Sequence, residues 1–193
     1  QDTIVVRDSA PAPRRRAPWI ALGVAVVLAG VFAALAMASG GSRETARTPL
    51  LGQPAPAVQT VDVDGEAFDL GTRRGSWVVL NFFQTQCVPC VQEHPELVKF
   101  DAAQRARAGG AELVTVINYD SVERVKAFFS DNGGGTWPVL RDDDGRIYVS
   151  FGVAKVPETW IVDPAGVVRA RIITTVTAQG LAALIDELAG GSS

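Results

Sequence analysis

Cysteine, histidine and methionine are scarce in this 193-residue chain, with two, one and one of each. The shortage narrows the chemistry. A secreted scaffold held by disulfides carries many more cysteines, and a domain of about 140 residues buries a core without such staples. A structural zinc site takes four protein ligands, whereas Cys87, Cys90 and His94 are the whole stock of cysteine and histidine. A single histidine also restricts triad chemistry. Charged residues make up only 20%, and no basic stripe runs along the chain. Four arginines against two aspartates give residues 1–18 a net +2 and leave −5 for the remainder. Nucleic acid is therefore not an expected partner. There is no internal repeat.

What is present begins with an uncharged apolar run, Trp19–Ala38, about long enough to cross a bilayer as a helix. Arg14, Arg15 and Arg16 precede it. The positive-inside rule then places residues 1–18 in the cytoplasm and everything after the span outside the cell membrane. A cleaved signal peptide is the competing reading, because Ala36-Met37-Ala38 has the small residues of a cleavage site. However, the run exceeds a usual signal core. Residues 39–56 are rich in Gly, Ser, Pro, Ala and Arg and read as a tether. That leaves 57–190 as one domain.

Within that domain strand and helix patterns alternate. Ala57–Val63 and Ala67–Leu70, around Asp64-Gly65, suggest a hairpin. Trp77–Phe83 reads WVVLNFF, a continuous apolar run expected of a strand buried on both faces. Helices are expected over Cys90–Arg107, Ser121–Asp131 with Ser121 as N-cap, and Thr177–Leu188. Further strands are expected at Glu112–Ile117, Pro138–Leu140, Thr159–Val162 and Val167–Ile173. The alternation implies an α/β fold, a central mixed sheet flanked by helices.

Cys87-Val88-Pro89-Cys90 falls between the buried strand and a helix start. Two cysteines three apart on a first helical turn can close a small disulfide ring. The helix N-terminus offers unpaired N–H groups and a positive dipole end, which favour thiolate over thiol. Cys87, further out, is the expected attacking sulfur, and Cys90, deeper, the resolving one. Pro89 suits an early helical position. The alternatives are half of a metal site, copper delivery included, or an inert disulfide. No metal site and no cofactor beyond the redox-active Cys87–Cys90 pair are expected.

The stretch VVLNFFQTQCVPCVQEHPEL resembles the active-site segment of thioredoxin-like proteins, and FGVAKVPETWIVDPAGVV their second signature. With the N-terminal apolar run, roughly residues 50–188 resemble the ResA/TlpA/CcmG (DsbE) group of membrane-anchored thiol–disulfide oxidoreductases. Glu93-His94, Pro157-Glu158 and Asn118-Tyr119 are similar to the CcmG branch. The resemblance implies a thioredoxin-like fold and action as a reductant of outward-facing protein disulfides such as that of an apocytochrome c. A membrane electron donor would regenerate the dithiol. The chain departs from the pattern at Gln86, where a tryptophan is usual, and at Gln84 and Thr85.

The resemblance further implies a cis Val156–Pro157 bond lying against the disulfide, with Val156, Glu158, Gln86 and Pro89 around the substrate groove. Helical spacing puts Glu93, Leu97 and Phe100 on one inward stripe. A carboxylate beneath the cysteines has its pKa raised and can take the proton of Cys90. His94, about 100° round the helix, is expected at the surface. Asp142-Asp143-Asp144-Gly145 reads as a solvated turn, since the other ligands of a calcium loop are missing. Two other functions share the fold or the residues: a dithiol oxidant, and a peroxidase of the peroxiredoxin type. The peroxidase needs Thr or Ser three before the cysteine and Pro four before that, where Gln84 and Leu80 stand.

Overall fold

The structure is a computed structural model that describes residues 17–38 and 48–191. The chain divides into two units, Gln1–Arg43 and Glu44–Ser193. In the first, α1 (Ala17–Ala38) is a helix of 22 residues without a charged side chain. Its side chains are described over 21–31, and among the described residues no helix is long and apolar enough to cross a membrane. The expected cytoplasmic tail lies almost wholly outside the described residues, as does 39–47 of the expected tether.

The second unit opens with a hairpin, β1 (Gln59–Val61) antiparallel to β2 (Ala67–Asp69). Its turn is held by Asp62, whose carboxylate accepts the Asp64 and Glu66 N–H groups. Five strands form the main sheet: β3 (Val78–Phe83), β4 (Glu112–Ile117), β5 (Val139–Arg141), β6 (Glu158–Val162) and β7 (Val168–Ile172). Their order is β5-β4-β3-β6-β7. β3 pairs parallel with β4 and antiparallel with β6. All six β3 residues are buried, which is why its sequence runs apolar instead of alternating.

Strand alternation sorts the side chains onto two faces. Val79, Phe83 and Ile161 pack against α2 (Val88–Arg105), α3 (Val122–Asp131) and α5 (Ala178–Gly190). Val78, Leu80, Phe82 and Trp160 pack against Phe68 of the hairpin and a short helix, α4 (Arg146–Phe151). The mixed sheet with helices on both faces is thus the one expected. Ser121 caps α3 through its hydroxyl, as its sequence position predicts, and Thr177 caps α5 in the same way.

Two expectations need correction here. The tether does not extend to residue 56: Gly52, Gln53 and Ala55 hydrogen-bond the backbone of Gly166 and Val168, and Pro54 bridges to Val167. Those bonds draw the end of the segment into the folded unit. Asp142 is not a solvated turn residue. It is buried, and its carboxylate accepts the N–H groups of Ile147 and Tyr148, launching α4, which the sequence reading had no element for. Asp143 and Asp144 are exposed and pair with Arg141 and Arg146.

Candidate active site

β3 ends at Phe83, and three residues lead from it to the first cysteine. That approach is pinned to the end of β4: Gln84 Nε2 donates to the Asn118 carbonyl at 3.0 Å, and the N–H and hydroxyl of Thr85 both donate to Asp120 Oδ2 at 2.7 Å. Asp120 was not among the candidates from sequence. Its only signal there is an acid standing one residue before a helix cap. Beside it Tyr119 sits in the left-handed region, φ 57°, and is 90% exposed. It helps line a cleft of about 410 Å³ that also takes in Gln84, Tyr148 and Val156. A larger cleft of about 830 Å³, between Gln59 and Ser150, includes neither cysteine.

Cys87 is the N-cap residue of α2. Its Sγ accepts the Cys90 N–H at 3.2 Å, using one of the helix's unpaired donors. The two sulfurs are joined in a disulfide. Cys87 is half-buried, whereas Cys90 is 0% exposed, so only the outer sulfur is open to a partner. The Val156 carbonyl lies 3.5 Å from Cys87 Sγ, and the Val156–Pro157 bond is cis. Because β6 runs antiparallel to β3 from Glu158, its entry is brought beside the exit of β3. Gln86 and Pro89 flank Cys87 at the exposed surface. The structure therefore gathers Cys87, Cys90, Val156, Pro157, Gln86 and Pro89 into one place.

Glu93 lies one turn past Cys90 on the buried face of α2, 2% exposed. One carboxylate oxygen accepts from Asn81 Nδ2 at 2.7 Å and the other from the Val176 N–H at 2.7 Å. Burial pushes its pKa from 4.5 to about 7, against the two hydrogen bonds, which pull it down. A carboxyl group poised there can hold or release a proton at neutral pH. Asn81, fully buried on β3, also donates to Thr159 Oγ1 at 3.1 Å. The signal for it in the sequence is the one polar residue inside WVVLNFF.

Glu158 does not line the groove. As the first residue of β6 it points, with Trp160, to the sheet face opposite α2. It is 1% exposed, accepts the Trp160 Nε1–H at 2.7 Å, and forms a two-point pair with Arg171 at 2.9 and 3.0 Å. His94 is not at the surface either. The buried stripe of α2 runs through Cys90, Glu93, His94, Leu97, Phe100, Asp101 and Gln104, wide enough to include both Glu93 and its neighbour. The ring sits among Phe83, Phe128, Phe129 and Trp137, and its Nε2 is 3.0 Å from the Gly134 carbonyl. Burial lowers its pKa, so it stays neutral. Among the described residues, no group of three or more His, Cys, Asp or Glu is placed to hold a metal ion.

A half-buried helix-capping cysteine, joined to a buried partner one turn on and set beside a proline at the head of the neighbouring antiparallel strand, defines a thioredoxin-like thiol:disulfide oxidoreductase. The AhpC/TSA family model matches residues 51–171. HelX, a thiol:disulfide interchange protein of Rhodobacter capsulatus, is 31% identical over 148 residues, covering 76% of this chain and 81% of HelX. The thiol:disulfide interchange protein DsbE of Yersinia pestis is 32% identical over 138 residues, 69% of this chain and 70% of DsbE. A thioredoxin family thiol:disulfide interchange protein of Chlorobium tepidum superposes with a TM-score of 0.63 at 23% identity, covering 74% of this chain and 98% of that one. The chain belongs to the AhpC/TSA family and is a thiol:disulfide oxidoreductase of the DsbE/ResA type.

Proposed function

We propose that this protein is a membrane-anchored, extracytoplasmic dithiol reductant of protein disulfides, with an apocytochrome c as the expected class of substrate. The observation that carries the reading is the succession of three groups at the start of α2: a half-buried Cys87, a buried Cys90 and a buried Glu93 whose pKa lies at about 7.

In the reduced state the Cys87 thiolate attacks one sulfur of the substrate disulfide. A Cys87–substrate bond forms and the other substrate sulfur leaves as a thiolate. Cys90 then gives its proton to Glu93 and attacks Cys87 Sγ. The intramolecular disulfide forms, the substrate's second sulfur departs, and two electrons have passed to the substrate. A reduced thiol donor at the membrane must return them.

The surroundings of the sulfurs favour the reducing direction. A strong oxidant stabilises its reduced form. Here the hydrogen-bond contacts of Cys87 Sγ among the described residues are the Cys90 N–H and the Val156 carbonyl oxygen. The helix-end N–H supports the attacking thiolate, while the electron-rich Val156 carbonyl beside it limits that support and so favours handing electrons on. The anchor is read from the sequence, where the uncharged apolar run Trp19–Ala38 follows Arg14, Arg15 and Arg16.

The test is covalent trapping in the native host. Cys90→Ser removes the resolving sulfur and should leave Cys87 joined to its substrate, releasable by dithiothreitol. Absence of any adduct, with Cys87→Ser indistinguishable from Cys90→Ser, would remove Cys87 from the attacking role.

A further inference from the structure

Four groups form one hydrogen-bonded cluster a turn along α2 from Cys90: Asn81 from β3, Glu93 from α2, Thr159 from β6 and the Val176 N–H ahead of α5. Their donors and acceptors can be counted. The Asn81 amide nitrogen spends both hydrogens, one on Glu93 Oε1 and one on Thr159 Oγ1. Its carbonyl oxygen, Oδ1, is buried with no partner. Glu93 Oε2 receives the Val176 N–H. Every neighbour of the carboxylate is thus a donor, as suits an ionised Glu93. Once Glu93 carries a proton, its O–H needs an acceptor, and a backbone N–H cannot become one.

Of the two donors to Glu93, the Asn81 carboxamide and the Val176 N–H, only the carboxamide can reverse its role in place, because O and NH2 have nearly the same shape. Turned over about its terminal torsion, Asn81 would set Oδ1 where Nδ2 now sits. Its two lone pairs could accept from the Glu93 O–H and from the Thr159 hydroxyl, which donates as readily as it accepts. Each setting leaves one outer amide group unpaired, Oδ1 in the one and NH2 in the other, and the proton on Glu93 decides between them. The titratable groups within one turn of Glu93 on α2 are Cys90, His94 and Glu96, the last accepting the Ala178 N–H. β3, β6 and the loop before α5 face Glu93 with Asn81, Thr159 and the Val176 amide, none of which titrates, and Glu158 lies on the other face of the sheet.

We propose that the Asn81 carboxamide is a two-way positioning switch for Glu93, donating from Nδ2 to the ionised carboxylate and accepting at Oδ1 from the protonated one. No covalent bond changes; the turn lets the buried acid take the proton of Cys90 without facing a donor on both sides. The inference rests on Glu93 being that proton acceptor.

The test is nuclear magnetic resonance on the full chain in detergent micelles, with the dithiol reduced, from pH 5 to 9. Above the midpoint of the Glu93 carboxyl carbon, the Asn81 amide protons should show cross-relaxation with the Thr159 side chain. Below it that signal should vanish, with the same midpoint. A Glu93 that titrates while the Asn81–Thr159 signal persists would make Asn81 a fixed donor and overturn the switch alone. A Glu93 that shows no titration at all would overturn the proton-acceptor reading and the switch with it. As a second measurement, Asn81→Leu removes both settings and should slow the resolving step about tenfold, the weight of one hydrogen bond, with a displaced pH–rate profile. A purely structural Asn81 would lower stability and leave that profile in place.

Discussion

Replacing Glu93 with glutamine separates two effects that the buried carboxylate has, and both can be sized. The displacement from 4.5 to about 7 is a preference for the neutral form of about 3 kcal/mol. The native state holds this proton to higher pH than the unfolded chain does. Between pH 4.5 and 7 the unfolded chain therefore binds fewer protons, and stability falls as pH rises. Above pH 7 the full penalty is present; below pH 4.5 it is absent. Glu93→Gln cannot ionise, so it should be more stable than the parent at pH 8, by up to about 3 kcal/mol less whatever its amide loses against the Asn81 and Val176 donors. At pH 4 the gain should disappear. Catalysis should move the other way. A positioned base contributes about 10²-fold or more, so resolution of a mixed disulfide at pH 7 should slow by about two orders of magnitude. Its pH dependence should lose the rise near 7. Urea denaturation at pH 4 and 8 reads the first effect, and single-turnover stopped flow the second. A variant that resolves at the parental rate with the parental pH profile would show that Glu93 serves structure alone.

Other consequences follow from neighbouring contacts. Arg171→Met strands the buried Glu158 carboxylate and should cost about 3–5 kcal/mol by chemical denaturation, whereas Glu158→Gln combined with Arg171→Met should recover most of it; a cost under ~1 kcal/mol for the single change would mean Glu158 finds water. His94 is kept neutral by burial, so its contribution is present above pH 6.5 and lost as pH falls below it, where the unfolded chain takes up the proton. His94→Phe should remove that part of the acid sensitivity, and a stability–pH curve identical to the parent's would contradict the assignment. Asp120→Ala frees the two donors of Thr85 at a local cost of about 1–3 kcal/mol. Hydrogen exchange at the Thr85 amide should accelerate while the α2 amides keep their protection.

The elements that reach the disulfide were legible because each carries its own local signal: an apolar run for β3, a serine cap for α3, a CxxC where strand gives way to helix. Glu93 was legible from helical spacing. What was hidden depends on partners distant in the chain. His94 is buried because Phe128, Phe129 and Gly134 of another element cover it, and spacing along α2 carries no record of that cover. Glu158 turned away from the groove because alternation in β6 sends it to the face of Arg171, a residue of the next strand. Asp142 looked like one of three solvated acids, and only the fold shows it capping α4. Asn81 was visible as the polar exception in an apolar strand, but its meaning required the position of Glu93.

The central claim is that Cys87 and Cys90 cycle as a low-potential dithiol. A redox titration of the full chain against a dithiothreitol or glutathione series measures this directly. One reversible two-electron couple is expected near the thioredoxin end of the scale, about −270 mV. A value near −120 mV would make the protein a disulfide donor and contradict the reductant reading, and cysteines that never interconvert would contradict redox cycling by this pair.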